Sequence, residues 1–561
     1  MSRDAVARRV VIMRPNRLLQ RRAALLAATT PILIVAGAAL LFVPEMAPAT
    51  GLSSVRAQLF ENENLLFYAP EPGDLFGFAL ATGDFNGDGA DDLATGIPLD
   101  DGLAGFPVVD MGAVVVRYGI PGRGLATGLA DTYLSQLQAG SPSTPNPGEK
   151  FGRALAAGDF NGDGIDDLAI GVPANWTYNE QVGGAVEIHY GLPAGLQLAA
   201  EHLLEAGVGG IPGWGSNGER FGEALAAGDF DGDGYEDLAV GTPANFIDGV
   251  YAGTVFVLHG DVGGLLPFDG YLVRQGYEGI PDAADEGDEF GAALATGDWN
   301  GDGMDDLAIG VPAEDDVGAV LAIFGSPFGL LFSNHVWWGQ GDTGGVGEGG
   351  DRFGLALASG DFDGDGYDDL VVSAPYEDLV EGSAIVDAGE FTLLYGSGAG
   401  APNWFNVART SHFQQGSFFL GGGYDEAGDR FGWALAAGDF DHDGRDDLAV
   451  GHPGEDLGGI DEGAVTVLMG ATGTGIWNGA DIFASGIGQV PGGVQSSQDL
   501  GWSLATGDFD GDGHADLAIG VPYRHINGAG EDVGRESVLY GALFSDGFYY
   551  GFPYYWSEMA Q

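Results

Sequence analysis

Apolar residues in this chain fall into short, unbroken runs that end in proline, and one such run keeps returning. DLATGIP (Asp92–Pro98), DLAIGVP (Asp167–Pro173) and DLAVGTP (Asp237–Pro243) are examples. A short apolar run bounded by turn residues predicts a strand buried on both faces. Further on, GAVVVRYG (Gly112–Gly119) predicts a second apolar strand, with counterparts from Gly184, Gly253 and Gly463. A looser aromatic stretch follows, such as NHVWWGQ (Asn334–Gln340), and no helical period runs through the repeats. The full phrase, FGFALATGDFNGDGADDLATGIP from Phe76 to Pro98, recurs from Phe151, Phe221, Phe290, Phe353, Phe431 and Leu500, at spacings of 63 to 78 residues. Each unit therefore predicts about four strands, the size of one propeller blade. Repeats of this kind bury their faces against their neighbours. The expected fold is all-β.

Between the first two strands of every unit lies an acidic, glycine-rich loop. In the first unit, positions 1, 3, 5 and 9 are Asp84, Asn86, Asp88 and Asp92, with Ala90 at position 7. Gly87 and Gly89 stand at positions 4 and 6, where the backbone must turn sharply. The second loop offers Asp159, Asn161, Asp163, Ile165 and Asp167; the third, Asp229, Asp231, Asp233, Tyr235 and Asp237. The fourth has Asp298, Asn300, Asp302, Met304 and Asp306; the fifth, Asp361, Asp363, Asp365, Tyr367 and Asp369. The sixth has Asp439, Asp441, Asp443, Arg445 and Asp447; the seventh, Asp508, Asp510, Asp512, His514 and Asp516. Calcium takes about six to eight oxygen ligands in a flexible cage. Four oxygen-bearing side chains, the position 7 carbonyl and a water supply that number. Asp-Gly clusters also make plain turns, but seven loops of identical spacing argue for Ca2+, up to seven ions, one per blade. Magnesium fits less well because it demands near-octahedral geometry. The loop is no EF-hand, since position 12 is Thr95, Ile170 or Val240 rather than Glu, and a strand follows instead of a helix.

Phe-Gly at the start (Phe76-Gly77, Phe151-Gly152), the acidic loop, and then Gly-x-Pro (Gly171-Val172-Pro173) resemble FG-GAP repeats, the blades of the integrin α-subunit N-terminal propeller. The resemblance covers roughly Phe76 to Gly541. It departs at Leu500-Gly501 and at Ser373-Ala374-Pro375, and neither change touches a loop ligand. It implies a seven-bladed propeller with calcium loops on one face and ligand binding on the other. In integrins only some blades carry the loop; seven loops are closer to bacterial FG-GAP proteins. No room remains for integrin leg domains, so a heterodimeric partner is not implied.

This reading divides the chain into four parts. Residues 1–49 are expected to be a signal peptide or an N-terminal membrane anchor: seven arginines precede an apolar run from Ala23 to Val43, and Ala47-Pro48-Ala49 offers a cleavage site. Residues 50–75 contain a candidate ring-closing strand, Val55 to Tyr68. Residues 76–541 are the propeller. Residues 542–561 are an aromatic tail, in which Phe544 to Trp556 compete for the closing role. The chain is expected outside the cytosol, in the cell envelope or extracellular space.

Composition narrows the partners. There is no cysteine, so no disulfide braces the fold, and bound calcium would take over part of that task. Twenty basic residues face 82 acidic ones; without the first 49 residues, which hold seven Arg and two acids, the formal charge deepens from −62 to −67. Such a surface repels nucleic acid and anionic membranes, and suits a halophilic or simply an acidic secreted protein. The expected partner is an extracellular protein or glycan, with membrane contact only through the N-terminal segment. Trp176, Tyr178, Trp214, Phe246 and Tyr376 are candidates for the binding face. No metalloprotease, nucleophile-elbow or phosphate-loop motif occurs, so no catalytic residue is assigned. His442 and His514, inside two loops, read as surface residues. The leading reading is a calcium-binding adhesion module. The alternatives are a scaffold without a specific ligand and, third, a carbohydrate-active enzyme.

Overall fold

The computed structural model describes residues 52–61 and 73–541, except for 103–107, 127–130, 138–144, 176–182, 199, 201, 209, 212–217, 381–383, 399–404, 407–408, 418–424, 457–461, 474, 485–489, 491–498 and 524–533; it also gives two short strands nearer the N-terminus. These strands, Val35–Ala36 and Ala39–Leu40, pair antiparallel in a unit separate from the rest of the chain. No helix among the described residues is long and apolar enough to cross a membrane. The aromatic tail lies outside the described residues.

Seven antiparallel four-stranded sheets form the main body, one per repeat. The first consists of Leu80–Gly83, Asp92–Ile97, Ala113–Arg117 and Thr132–Leu134, in chain order from the inside out. The innermost strands touch one another in sequence order, and the seventh touches the first, so the sheets close into a seven-bladed propeller. Every second strand is buried along its whole length, including Asp92–Ile97, Asp167–Val172 and Asp369–Ala374. That explains the unbroken apolar runs: each such strand is covered by a neighbouring blade on both faces. The apolar clusters accordingly lie between blades. One joins Val114 and Val116 of the first blade to Leu168 and Ile170 of the second.

Phe-Gly fastens each blade to the one before it. Phe151 makes a parallel bridge to Gly112, Phe221 to Gly184, and Phe290 to Gly253. These phenylalanines are fully buried, each contributing about 1.5–3 kcal/mol of apolar burial. Gly152 sits at φ 83° and donates its N–H to the Gly171 carbonyl across its own blade. The Gly-x-Pro glycine is equally constrained, since a Cβ on Gly96 would lie 2.1 Å from the carbonyl oxygen of Gly152 in the next blade. The fifth blade's Ser373 is accommodated by a hydrogen bond from the Ala356 amide to its hydroxyl.

The seventh sheet takes its outer strand from the other end of the chain. Leu52–Glu61 pairs antiparallel with Arg535–Gly541, outside Asp516–Val521 and Ser503–Gly507. Phe76 then bridges to Gly534. Across this seam, buried Arg117 forms an ion pair with buried Glu536, whose other oxygen accepts from the Thr95 hydroxyl at 2.5 Å. The Arg117 guanidinium also lies over the rings of Phe60 and Phe76.

Candidate metal centre

Each acidic loop is folded by its own carboxylates. The position 1 aspartate accepts two backbone amides: Asp84 takes those of Asp88 at 3.0 Å and Gly89 at 2.8 Å. Asp159, Asp298, Asp439 and Asp508 do the same in their own loops. The position 5 aspartate accepts the position 7 amide, as from Ala90 to Asp88 and Ile165 to Asp163. Position 9 is a buried strand residue whose carboxylate accepts the amide of the glycine at or just past the end of the third strand: Gly119 to Asp92 at 2.7 Å, Gly325 to Asp306 at 2.8 Å, Gly470 to Asp447 at 2.8 Å. Thus the spacing seen in the sequence gathers its side chains at one end of every blade.

In the all-aspartate loops three carboxylates converge: Asp229, Asp231 and Asp233; Asp361, Asp363 and Asp365; Asp439, Asp441 and Asp447; Asp508, Asp510 and Asp516, each set with ligand atoms within 4.8 Å of one another. Burial is the main cause that pushes Asp92, Asp167, Asp306, Asp369 and Asp447 up to about 8, and Asp516 to about 9, with neighbouring aspartates adding to it. In the loops, the Asn300 side-chain carbonyl and Oδ2 of Asp369 are buried and have no hydrogen-bond partner among the described residues. Buried oxygens without donors, set among crowded carboxylates, fit a hard divalent cation.

Three loops also meet basic side chains, two of which, Arg409 and His259, come from outside the loops. Arg409 donates to Asp363 at 2.6 Å, Arg445 pairs with Asp443, and His259 lies 3.1 Å from Asp237 and 3.7 Å from Asp231. Neighbouring loops are linked as well. The amide of the residue before position 9 donates to the position 1 carbonyl of the preceding loop at all seven junctions, from Asp166 to Asp84 through Asp91 to Asp508. At five of them a carboxylate returns the contact, as Asp166 does to the Asp84 amide at 2.8 Å.

A second series of acids, missed in the sequence, sits at the other end of the blades. Asp74, Glu149, Glu219, Asp288, Asp351 and Asp429, each two residues before Phe-Gly, are buried. Gln275, Gln340 and Gln415, just past outer strands, donate to Glu314, Glu377 and Glu455 of the following blade at 2.6, 2.6 and 2.5 Å. Burial, then the facing acid, pushes Glu314, Glu377 and Asp429 up to about 8. Their signal in the sequence is a regular Gly-Asp or Gly-Glu ahead of Phe-Gly.

At that same end, half-buried aromatics form a crescent. Ring centroids are 6.2 Å apart for Tyr376 and Trp433, 4.7 Å for Trp433 and Trp502, 4.8 Å for Trp502 and Tyr523, and 5.7 Å for Trp502 and Phe78. Arg430 lies over Tyr376 and Trp433, and Arg153 over Phe78. Of the aromatics picked from the sequence, Tyr376 belongs to this crescent. Phe246 is 39% exposed and packs on Tyr251. Trp176, Tyr178 and Trp214 lie outside the described residues.

Comparison with known proteins agrees with this architecture. The FG-GAP repeat family matches residues 76–116, 151–186, 221–258, 290–323, 353–394, 431–468 and 500–533. Integrin alpha-PS2 of Drosophila melanogaster is 32% identical over 269 residues, 46% of this chain and 17% of that protein. Integrin alpha-5 of Xenopus laevis is 30% identical over 292 residues, 49% of this chain and 24% of its own length. Phosphatidylinositol-glycan-specific phospholipase D of Rattus norvegicus is 35% identical over 164 residues, 28% and 19% of the two chains. The matched region spans about a fifth of the length of these curated relatives.

Proposed function

Since the chain is an FG-GAP repeat protein with an integrin-α-like propeller, we propose that it is an exported, calcium-stabilised module for ligand binding or adhesion at the cell surface. In each blade the residues at positions 1, 3, 5 and 9, with the position 7 carbonyl, hold the ion: in the fourth blade Asp298, Asn300, Asp302, Asp306 and Met304. Bound calcium supplies charge compensation to carboxylates that the fold has already buried and crowded. The partnerless oxygens of Asn300 and Asp369 support this assignment.

The observation that carries the binding reading is the aromatic crescent. Phe78, Trp433 and Trp502 precede the innermost strands, whereas the acidic loops follow those strands, so the crescent lies at the end of the blades away from the metal. Aromatic rings beside arginines offer apolar area with a polar handle to a protein or a glycan. Metal counting and thermal unfolding with calcium or chelator test the first half: close to seven ions and a large fall of the midpoint on chelation are expected. A glycan array and a panel of extracellular proteins test the second. Trp433→Ala should abolish capture while leaving the calcium-loaded midpoint within a few degrees; capture that survives this change places the ligand elsewhere. The phospholipase D relatives make an enzymatic role worth checking. On the binding reading, no product is released from a phosphatidylinositol-glycan substrate.

A further inference from the structure

The register between neighbouring loops puts two particular side chains face to face. At each junction the position 7 residue of one loop packs over position 4 of the loop before it. Ile165 covers Gly87, Tyr235 covers Gly162, Met304 covers Gly232, Tyr367 covers Gly301, and Arg445 covers Gly364. Position 4 is glycine in six loops and histidine in one: His442, in the sixth blade, at φ 56°. Position 7 of the following loop is His514. The same packing rule therefore stacks imidazole on imidazole at the seam between the sixth and seventh blades, with ring centroids 4.9 Å apart and planes tilted by 40°.

That separation has a chemical meaning. With metal–nitrogen bonds of about 2.0–2.1 Å, two imidazoles on one tetrahedral ion hold their centroids about 5 Å apart. Nδ1 of His514 is buried and has no hydrogen-bond partner among the described residues, while the His442 ring is exposed at the loop surface. Arg445 and Asp443 pair with each other, so that cation is already engaged.

We propose that His442 and His514 form a two-imidazole transition-metal site of the zinc or copper class across the sixth–seventh blade seam, with water completing the coordination. Imidazole nitrogen suits borderline ions, whereas the oxygen-only loops suit calcium. The two metals would not compete for the same atoms, and this site does not depend on the loops holding calcium.

The test is calorimetric titration of Zn2+ into the full chain in saturating calcium. One zinc equivalent is expected. His442→Gly removes an imidazole yet installs the residue that six sibling loops already carry, so the loop backbone and the calcium-dependent midpoint should stay as they are. This variant and His514→Gln should each weaken zinc at least tenfold, and Cu2+ bound to the unaltered protein should show two nitrogen couplings in its paramagnetic resonance spectrum. The proposal is overturned if the unaltered protein takes up no zinc above calcium, or if both variants bind zinc as before.

Discussion

At the residue scale, the informative groups are buried acids outside the acidic loops. Asp351 and Glu377 face each other in the fifth blade, and Gln340 reaches in from the fourth to donate to Glu377. Burial, with Asp351 adding to it, raises Glu377 to about 8, well above its value of 4.5 in the unfolded chain. The fold therefore favours the protonated acid, and stability is lost as pH rises between about 4.5 and 8. Glu377→Gln keeps an acceptor for Gln340 and removes the charge. In saturating calcium its thermal midpoint should exceed that of the parent at pH 8 by about 2 °C or more, and match it near pH 4. An equal gap at both pH values would rule out titration as the cause. The loop ligands were legible because their spacing repeats within nine residues. Gln340 and Glu377 were not, because the partners belong to different repeats and nothing local marks either as buried. The same holds for His442 and His514, whose meeting depends on how one loop seats on the next.

Among the elements, the second strands were the most legible, since burial on both faces leaves a continuous apolar run such as Leu168–Ala169–Ile170. The reason for the glycine that follows was hidden. A Cβ on Gly171 would lie 2.1 Å from the Gly222 carbonyl of the next blade, a contact no single repeat can reveal. Gly171→Ala should cost about 1–3 kcal/mol, the usual range for overpacking, read from urea unfolding in calcium. The seam between first and last blades depends on a different device. Arg117 and Glu536 are both buried, so removing one partner strands the other charge. Arg117→Ala should cost about 3–5 kcal/mol, whereas replacing both residues with Met and Leu should recover most of that loss. If the double replacement is as damaging as the single one, the pair matters for its shape and not for its charge.

For the whole molecule, one fold carries opposite electrostatic tasks at its two ends. The acidic loops form a hydrogen-bonded annulus with a cation-seeking character, while Arg153 and Arg430, scarce cations in a chain of formal charge −62, stand with aromatic rings at the other end. Deleting Leu52–Glu61 should leave the edge of Arg535–Gly541 unpaired, and unpaired edges recruit other chains. Light scattering after chromatography should then show dimers or larger species; a stable monomer would show that another segment covers the edge. The pairing of Leu52–Glu61 with Arg535–Gly541 also sets an order of events in the cell. The first strand of the ring to leave the ribosome must wait for the last one, and at about 5–20 residues per second that delay is on the order of a minute. During that delay each blade, as it emerges, has the preceding one to lean on while this strand has no partner, so the newborn chain is most exposed to misassembly at the seam that closes the ring.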